Sequence, residues 1–116
     1  MSPITTFHEY QALALALRTA GEGVTEYHMT HAIMGLSSEV GELASDIKSS
    51  LFYGTAMNKE NMKKEIGDIL WYLSLAAYAV GTTLEEVATL NIDKLKKRYP
   101  DGVFTTKDAL ERKDEK

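Results

Sequence analysis

The two prolines of this chain lie near its ends, at Pro3 and Pro100, and residues 4–99 contain none. A proline inside a helix removes a backbone hydrogen bond and costs about 3 kcal/mol, so helices exclude it from their interiors. Glycines instead separate the remaining segments, as they do at helix ends. This distribution favours a chain that is helical throughout.

Capping patterns set the expected helix boundaries. Thr6 with Glu9 and Thr83 with Glu86 both have the spacing of a capping box, in which each side chain accepts a hydrogen bond from a backbone N–H of the first helical turn. We predict four helices: 6–20, from near Thr30 to about Ser50, from the cap Asn58 to Val80, and from Thr83 to Tyr99. These helices predict one domain of the four-helix-bundle type over residues 1–103, and we expect the charged residues 104–116 to be frayed.

Composition excludes several classes of function. The 116 residues include no cysteine, which excludes a disulfide scaffold, a thiolate zinc site and a cysteine nucleophile. A formal net charge of −4 disfavours binding to nucleic acid through the phosphate backbone. No signal-like N-terminus and no uncharged apolar run of about 20 residues is present, so we predict a cytoplasmic protein without a membrane partner.

Apolar residues at helical spacing predict which faces are buried, and acidic residues lie at the edges of those faces. The stripes comprise Leu36, Val40, Leu43, Ala44 and Ile47 on the second helix and Ile66, Ile69, Leu73, Ala76 and Val80 on the third. Glu39 and Glu42 lie beside the first stripe, with Asp46 in the same group, and Glu65 and Asp68 flank the second. Because a short connection favours antiparallel packing, the two acidic pairs are predicted to face each other.

Four carboxylates at a half-buried seam repel one another unless a cation neutralises them. The predicted ligands are all oxygen, and the Glu-x-x-His pairs of di-iron bundles are missing, so magnesium or manganese is favoured. Gly41 and Gly67 lie inside the acidic motifs, which predicts close backbone approach there. One acidic pair alone is more often a solvated face, and a non-catalytic helical interaction module is the main alternative.

Three segments together resemble one family. They are Ser38-Glu-Val-Gly-Glu-Leu-Ala, Glu65-Ile-Gly-Asp-Ile-Leu-Trp-Tyr72 and Asn91-Ile-Asp-Lys-Leu-Lys-Lys-Arg-Tyr-Pro100. Their order and spacing resemble those of the MazG-like all-alpha nucleoside triphosphate pyrophosphohydrolases, whose signature is E-E-x-x-E, a spacer, then E-x-x-D. Ser38 stands where the fullest motif has its first glutamate.

The resemblance implies magnesium-dependent hydrolysis of a nucleoside triphosphate between the α- and β-phosphates, with manganese as a possible substitute. It implies four metal ligands, Glu39, Glu42, Glu65 and Asp68, with Glu39 or Glu42 also orienting the attacking water as the catalytic base. The base and the sugar of the nucleotide stay open.

Further substrate contacts are predicted from helix faces together with the resemblance. For the phosphates the candidates are Tyr72, Asn91, Lys94 and Arg98, with Asn91 placed on the buried stripe of the fourth helix. For the base the candidates are His31 and Trp71, with Phe7 and Tyr10 as further stacking partners. His8 and His28 are predicted to be surface residues.

The third helix is apolar around its whole circumference between Ile69 and Val80. Three other helices can cover one of its faces, but Trp71, Leu75 and Tyr78 lie opposite that face. We therefore predict a homo-oligomer, a dimer or a tetramer, in which these three side chains contact a second subunit.

Overall fold

A computed structural model describes residues 2–18 and 25–115 of the chain. Across these ranges it contains α-helices and one 3-10 turn but no β-strand, which confirms the all-α class. The helices are α1 (Phe7–Leu15), α2 (Thr25–Tyr53), α3 (Lys59–Ala79), α4 (Leu84–Arg98) and α5 (Thr106–Glu111), followed by the 3-10 turn Lys113–Glu115. No helix in the described part of the chain is both long enough and apolar enough to cross a membrane.

The chain divides into two compact units, Met1–Leu84 and Glu85–Lys116. In the first unit, α3 packs against both α2 and α1. Gln11 makes two hydrogen bonds in the interior of this unit. Its amide nitrogen donates to the Ser74 carbonyl oxygen (3.4 Å), and its amide oxygen accepts from the Leu84 N–H (3.1 Å). Gln11 therefore ties α1 to α3 and to the first residue of α4.

The first two helices differ from their predicted bounds. Helix α1 ends at Leu15 rather than at residue 20, because the Arg18 guanidinium donates to the Leu15 carbonyl oxygen (2.7 Å) and the backbone closes into tighter turns. Residues 19 and 20 of the prediction lie outside the described residues. Helix α2 begins at Thr25 rather than Thr30, and its first turn contains His28, which is only 2% exposed.

The predicted ends of α3 match the structure closely. The Asn58 side chain caps the helix by accepting from the Asn61 N–H (3.0 Å), and Gly81 ends it with a φ of 78°. Gly54, with a φ of 70°, likewise terminates α2 after Tyr53. Glycine adopts this left-handed backbone without the steric cost that other residues meet.

The second unit contradicts the expectation of a frayed segment after residue 103. Thr105 caps α5 by accepting from the Asp108 N–H (3.0 Å). The Arg98 guanidinium binds both carboxylate oxygens of Asp114, at 2.7 and 2.8 Å, and the Asp114 side chain is 1% exposed. This bidentate pair holds the last turn in place and lowers the pKa of Asp114 to about 2.

The prediction that Trp71, Leu75 and Tyr78 form an outward face of α3 is wrong. Leu75 is fully buried, and the Trp71 indole N–H donates to the Ala14 carbonyl oxygen (2.9 Å) of α1. The Tyr78 ring contacts the His28 ring edge-on, with centroids 5.5 Å apart. Helix α1 and the first turn of α2 therefore cover this face within one chain.

The stripes predicted to form the core on α2 and α3 are only partly covered, because several of their large apolar residues are exposed. Five of their residues are between 41% and 62% exposed, and they recur every seven residues: Val40 and Ile47 on α2, and Ile66, Leu73 and the C-cap residue Val80 along α3. Seven residues are two helical turns, so each helix carries an apolar ridge that residues 2–18 and 25–115 leave exposed.

Candidate functional site

Helices α2 and α3 run antiparallel, and their pairing brings the acidic motifs together. The charges of Glu42 and Asp68 act on Glu39, and the charge of Glu42 acts on Glu65. Each glutamate of one motif thus faces an acid of the other, which is the arrangement that the spacing predicted.

Glu39 lies at one end of this cluster. Desolvation raises the pKa of Glu39, and the charges of Glu42 and Asp68 and a hydrogen bond with Glu42 raise it further. Its Oε2 atom is buried and has no hydrogen-bond partner among the described residues. An anionic oxygen left in that position favours either a proton or a cation.

Glu65 occupies the other end and is 8% exposed. Desolvation raises the pKa of Glu65, followed by a hydrogen bond with Asp46 and the charges of Asp46 and Glu42. Its Oε1 accepts from the Asn61 Nδ2 (3.2 Å), while Oε2 is buried without a partner in residues 2–18 and 25–115. Sequence reasoning missed Asn61, although its position four residues before Glu65 places both on one helix face.

The donor chemistry of the cluster fits a hard divalent cation. Its oxygen atoms belong to carboxylates that repel one another. Two of these oxygens are buried and have no hydrogen-bond partner in the described chain. No group of three or more acidic or histidine side chains among the described residues already stands close enough to hold a metal ion.

Close backbone approach occurs at Gly35, not at the two glycines predicted for it. A Cβ atom on Gly35 would overlap Cε1 of the Tyr72 ring. A Cβ on Gly41 or on Gly67 would meet nothing within 4 Å among the described residues, so the prediction for those two positions is wrong. Gly35 lets the Tyr72 ring pack directly on α2, one turn beyond Asp68.

We expect Gly35→Ala to destabilise the protein by about 1–3 kcal/mol, because the added methyl group overlaps a ring held by its neighbours. Gly41→Ala is the matched control and should be neutral or stabilising by about 0.5–1 kcal/mol, since it only improves helix propensity. Urea unfolding measures both. Equal free energies of unfolding for the two variants would contradict the Gly35 contact.

Aromatic rings form a cluster beside the acids. The His31 ring contacts Trp71 and Tyr72 edge-on, with centroids 5.9 and 5.7 Å apart. His31 also lines a cavity of about 480 Å³ with Glu26, Tyr27 and others, and its Nδ1 is buried without a partner in the described chain. Two base-pocket candidates therefore lie together, but the Trp71 N–H is already bound by α1.

A second cavity lies at the N-terminal segment. It measures about 430 Å³ and is lined by Phe7, Tyr10 and Leu70 together with residues 4–6. Burial raises the pKa of Tyr10, and the Asp68 charge adds to this effect, so this cavity adjoins the acidic cluster. His8 is exposed as predicted, whereas His28 is buried between Tyr27 and Tyr78, contrary to the prediction.

The other phosphate candidates lie on α4. Asn91 and Lys94 are exposed, so Asn91 is not part of a buried stripe. Arg98 is half-buried and its guanidinium is engaged by Asp114. That ion pair was missed because its members are distant in the sequence and the second lies in the segment expected to be frayed.

Comparisons with known proteins bear on the family of this chain. The family model of the MazG nucleotide pyrophosphohydrolase domain matches residues 28–103, about two thirds of the chain. A protein of Mycobacterium phage L5 called Gene 37 protein is 32% identical over 80 residues, which cover 66% of this chain and 70% of that protein. No solved structure gives a significant match. The matched range contains both acidic motifs and α4, and the chain belongs to the MazG nucleotide pyrophosphohydrolase family.

Proposed function

We propose that the protein hydrolyses a nucleoside triphosphate between its α- and β-phosphates, with magnesium, to give a monophosphate and pyrophosphate. One observation carries this proposal: acids from two antiparallel helices converge, and two of their oxygens, Glu39 Oε2 and Glu65 Oε2, are buried and unpaired within the described residues. Such a cluster is poorly stable without a cation, and a triphosphate is a ligand that brings one.

Glu39, Glu42, Glu65 and Asp68 are the proposed metal ligands. When bound, the cation supplies neutralisation of the charge that develops on the phosphate oxygens. Glu39 or Glu42 orients the attacking water and accepts its proton.

The phosphate groups are proposed to contact Lys94, Asn91, Arg98 and Tyr72. Lys94 is exposed. For Arg98 the contact has a cost, because its guanidinium must share or release the Asp114 carboxylate. For the nucleobase we propose His31, whose unpaired Nδ1 borders a cavity, with Trp71 supporting the His31 ring from the side.

The test is a panel of the common ribo- and deoxyribonucleoside triphosphates, plus dUTP, assayed for pyrophosphate with magnesium or with manganese. Release of pyrophosphate from at least one of them, abolished by EDTA and restored by magnesium, supports the proposal. If no nucleotide in the panel releases pyrophosphate, the acids serve another purpose, and a non-catalytic interaction module becomes the better account.

We also propose that the protein is a homo-oligomer, a dimer or a tetramer, assembled through the exposed ridges of α2 and α3 rather than through Trp71. Side chains such as Ile66 (56% exposed) and Val80 (62% exposed) form ridges of a kind that marks an interface.

We expect light scattering at micromolar concentration to give at least twice the chain mass of 12.9 kDa. The double substitution Ile66→Glu with Leu73→Glu should reduce the mass to that of one chain, because two charges would be buried at the interface. Lys97→Glu on the exposed side of α4 is the control and should change nothing. A monomeric wild-type protein would overturn the assembly.

The single domain over residues 1–103, the cytoplasmic location and the lack of nucleic-acid binding stay predictions.

A further inference from the structure

Asn61 is an exposed residue in the first turn of α3, outside both acidic motifs. Its side-chain nitrogen donates to two carboxylates at once, Asp46 Oδ2 at 3.3 Å and Glu65 Oε1 at 3.2 Å. These acids come from different helices and are fifteen and four residues from Asn61. One amide group therefore links α2 to α3 at the edge of the acidic cluster.

The orientation of this amide follows from its neighbours. A carboxylate only accepts hydrogen bonds, so the amide nitrogen, with its two N–H groups, must face the two acids. The opposite orientation would place the amide oxygen against two anionic oxygens. The backbone of Asn61 is also fixed, because its own N–H donates to the Asn58 cap (3.0 Å).

The contact with Asn61 gives the two carboxylate oxygens of Glu65 different environments. Oε1 is held by Asn61, and this hydrogen bond lowers the pKa of Glu65 against the other influences on it. Oε2 is buried and unpaired within the described residues, on a side chain that is 8% exposed. Without Asn61, nothing else in the described chain donates to Glu65, and Asp46 can only share a proton with it.

We propose that Asn61 is a positioning residue for the metal ligand Glu65: it holds Glu65 Oε1, keeps Asp46 beside it, and thereby presents Glu65 Oε2 to a divalent cation. This inference rests on the proposed metal site. Some side chains hydrogen-bond to a metal ligand without contacting the metal. Removing such a side chain typically weakens metal affinity about 10–100-fold. Asn61 itself contacts neither the cation nor the substrate.

The test measures Mn²⁺ binding to the nucleotide-free protein by isothermal titration calorimetry. Circular dichroism measures the helicity of each variant to check that it folds. Asn61→Leu keeps the approximate volume and removes both donors, so its Kd should rise about 10–100-fold. Asn61→Gln retains the donors on a longer arm and should recover part of the affinity. Asn58→Ser, which changes an asparagine of the same turn but keeps a capping oxygen, should bind as the wild type does.

The outcomes separate this inference from the proposed reaction. An Asn61→Leu Kd within twofold of the wild-type value overturns the role of Asn61 and leaves the metal site standing. Failure of the wild-type protein to bind Mn²⁺ overturns the metal site and the role of Asn61 together. Metal binding with the expected loss in Asn61→Leu, but no pyrophosphate from any nucleotide, supports Asn61 and overturns only the reaction.

Discussion

Glu65→Gln should lower the rate of pyrophosphate release by about 10²–10³-fold or more while the helical content stays unchanged. The substitution keeps the shape of a side chain that is 8% exposed and removes one charge from the proposed metal site. Losing one group that stabilises transition-state charge typically costs a factor of this size. Asp68→Asn tests the partner motif in the same way, and steady-state kcat/KM measures both.

The matched control is Glu60→Gln, which makes the same chemical change one turn and a half earlier on α3. Glu60 pairs with Lys63 (2.8 Å) on the surface, and its side chain is 79% exposed. Activity of this variant should match the wild type. If Glu65→Gln retained full activity, the assignment of the site to this cluster would be wrong.

The second large effect concerns stability: the metal-free protein should melt at a higher temperature near pH 5 than near pH 8, and Mg²⁺ should remove most of that difference. The folded pKa values of Glu39 and Glu65 lie above their ordinary value of 4.5. Groups of this kind contribute stability below their unfolded pKa, and the contribution is lost as the pH rises through the raised folded pKa.

Asp114 acts in the opposite direction but in a lower window. Its folded pKa of about 2 lies below the ordinary value of 3.8, so its contribution is lost only as the pH falls through that range. Measurements between pH 5 and 8 therefore lie above the pH range in which the Arg98–Asp114 pair loses its contribution to stability.

Cation binding should offset the loss at pH 8. A ligand at one hundred times its Kd stabilises the folded state by about 2.7 kcal/mol, which raises the melting temperature of a chain of this size by about 10 °C. Glu65→Gln should flatten the pH dependence and weaken the response to Mg²⁺. A wild-type melting temperature that does not respond to Mg²⁺ or Mn²⁺ at pH 8 would contradict the cation site. Differential scanning calorimetry measures all of these values.

Features that depend on nearby residues were predictable from the sequence. Asn58 caps α3 and Gly81 ends it through hydrogen bonds and backbone angles that involve only their close neighbours. The apposition of the acidic motifs also followed from spacing, because a short loop between two helices leaves little choice but antiparallel packing.

Features that depend on distant partners were not predictable. From Ile69 onward α3 is apolar on nearly every side, so its sequence does not reveal that α1 binds Trp71 and that Leu75 is buried while Leu73 stays exposed. Gly35 matters because of one ring on another helix, and Gly41, placed inside a motif, meets nothing. Asn61 acquires its role only once α2 brings Asp46 beside it.

The products of a single reaction test the central claim most directly. Phosphorus NMR of a nucleoside triphosphate that gave pyrophosphate in the panel, incubated with wild-type protein and Mg²⁺, should show a nucleoside monophosphate and pyrophosphate forming in equal amounts. The Glu65→Gln protein under the same conditions should leave the triphosphate intact. Appearance of a nucleoside diphosphate and orthophosphate would mean cleavage between the β- and γ-phosphates and would contradict the account.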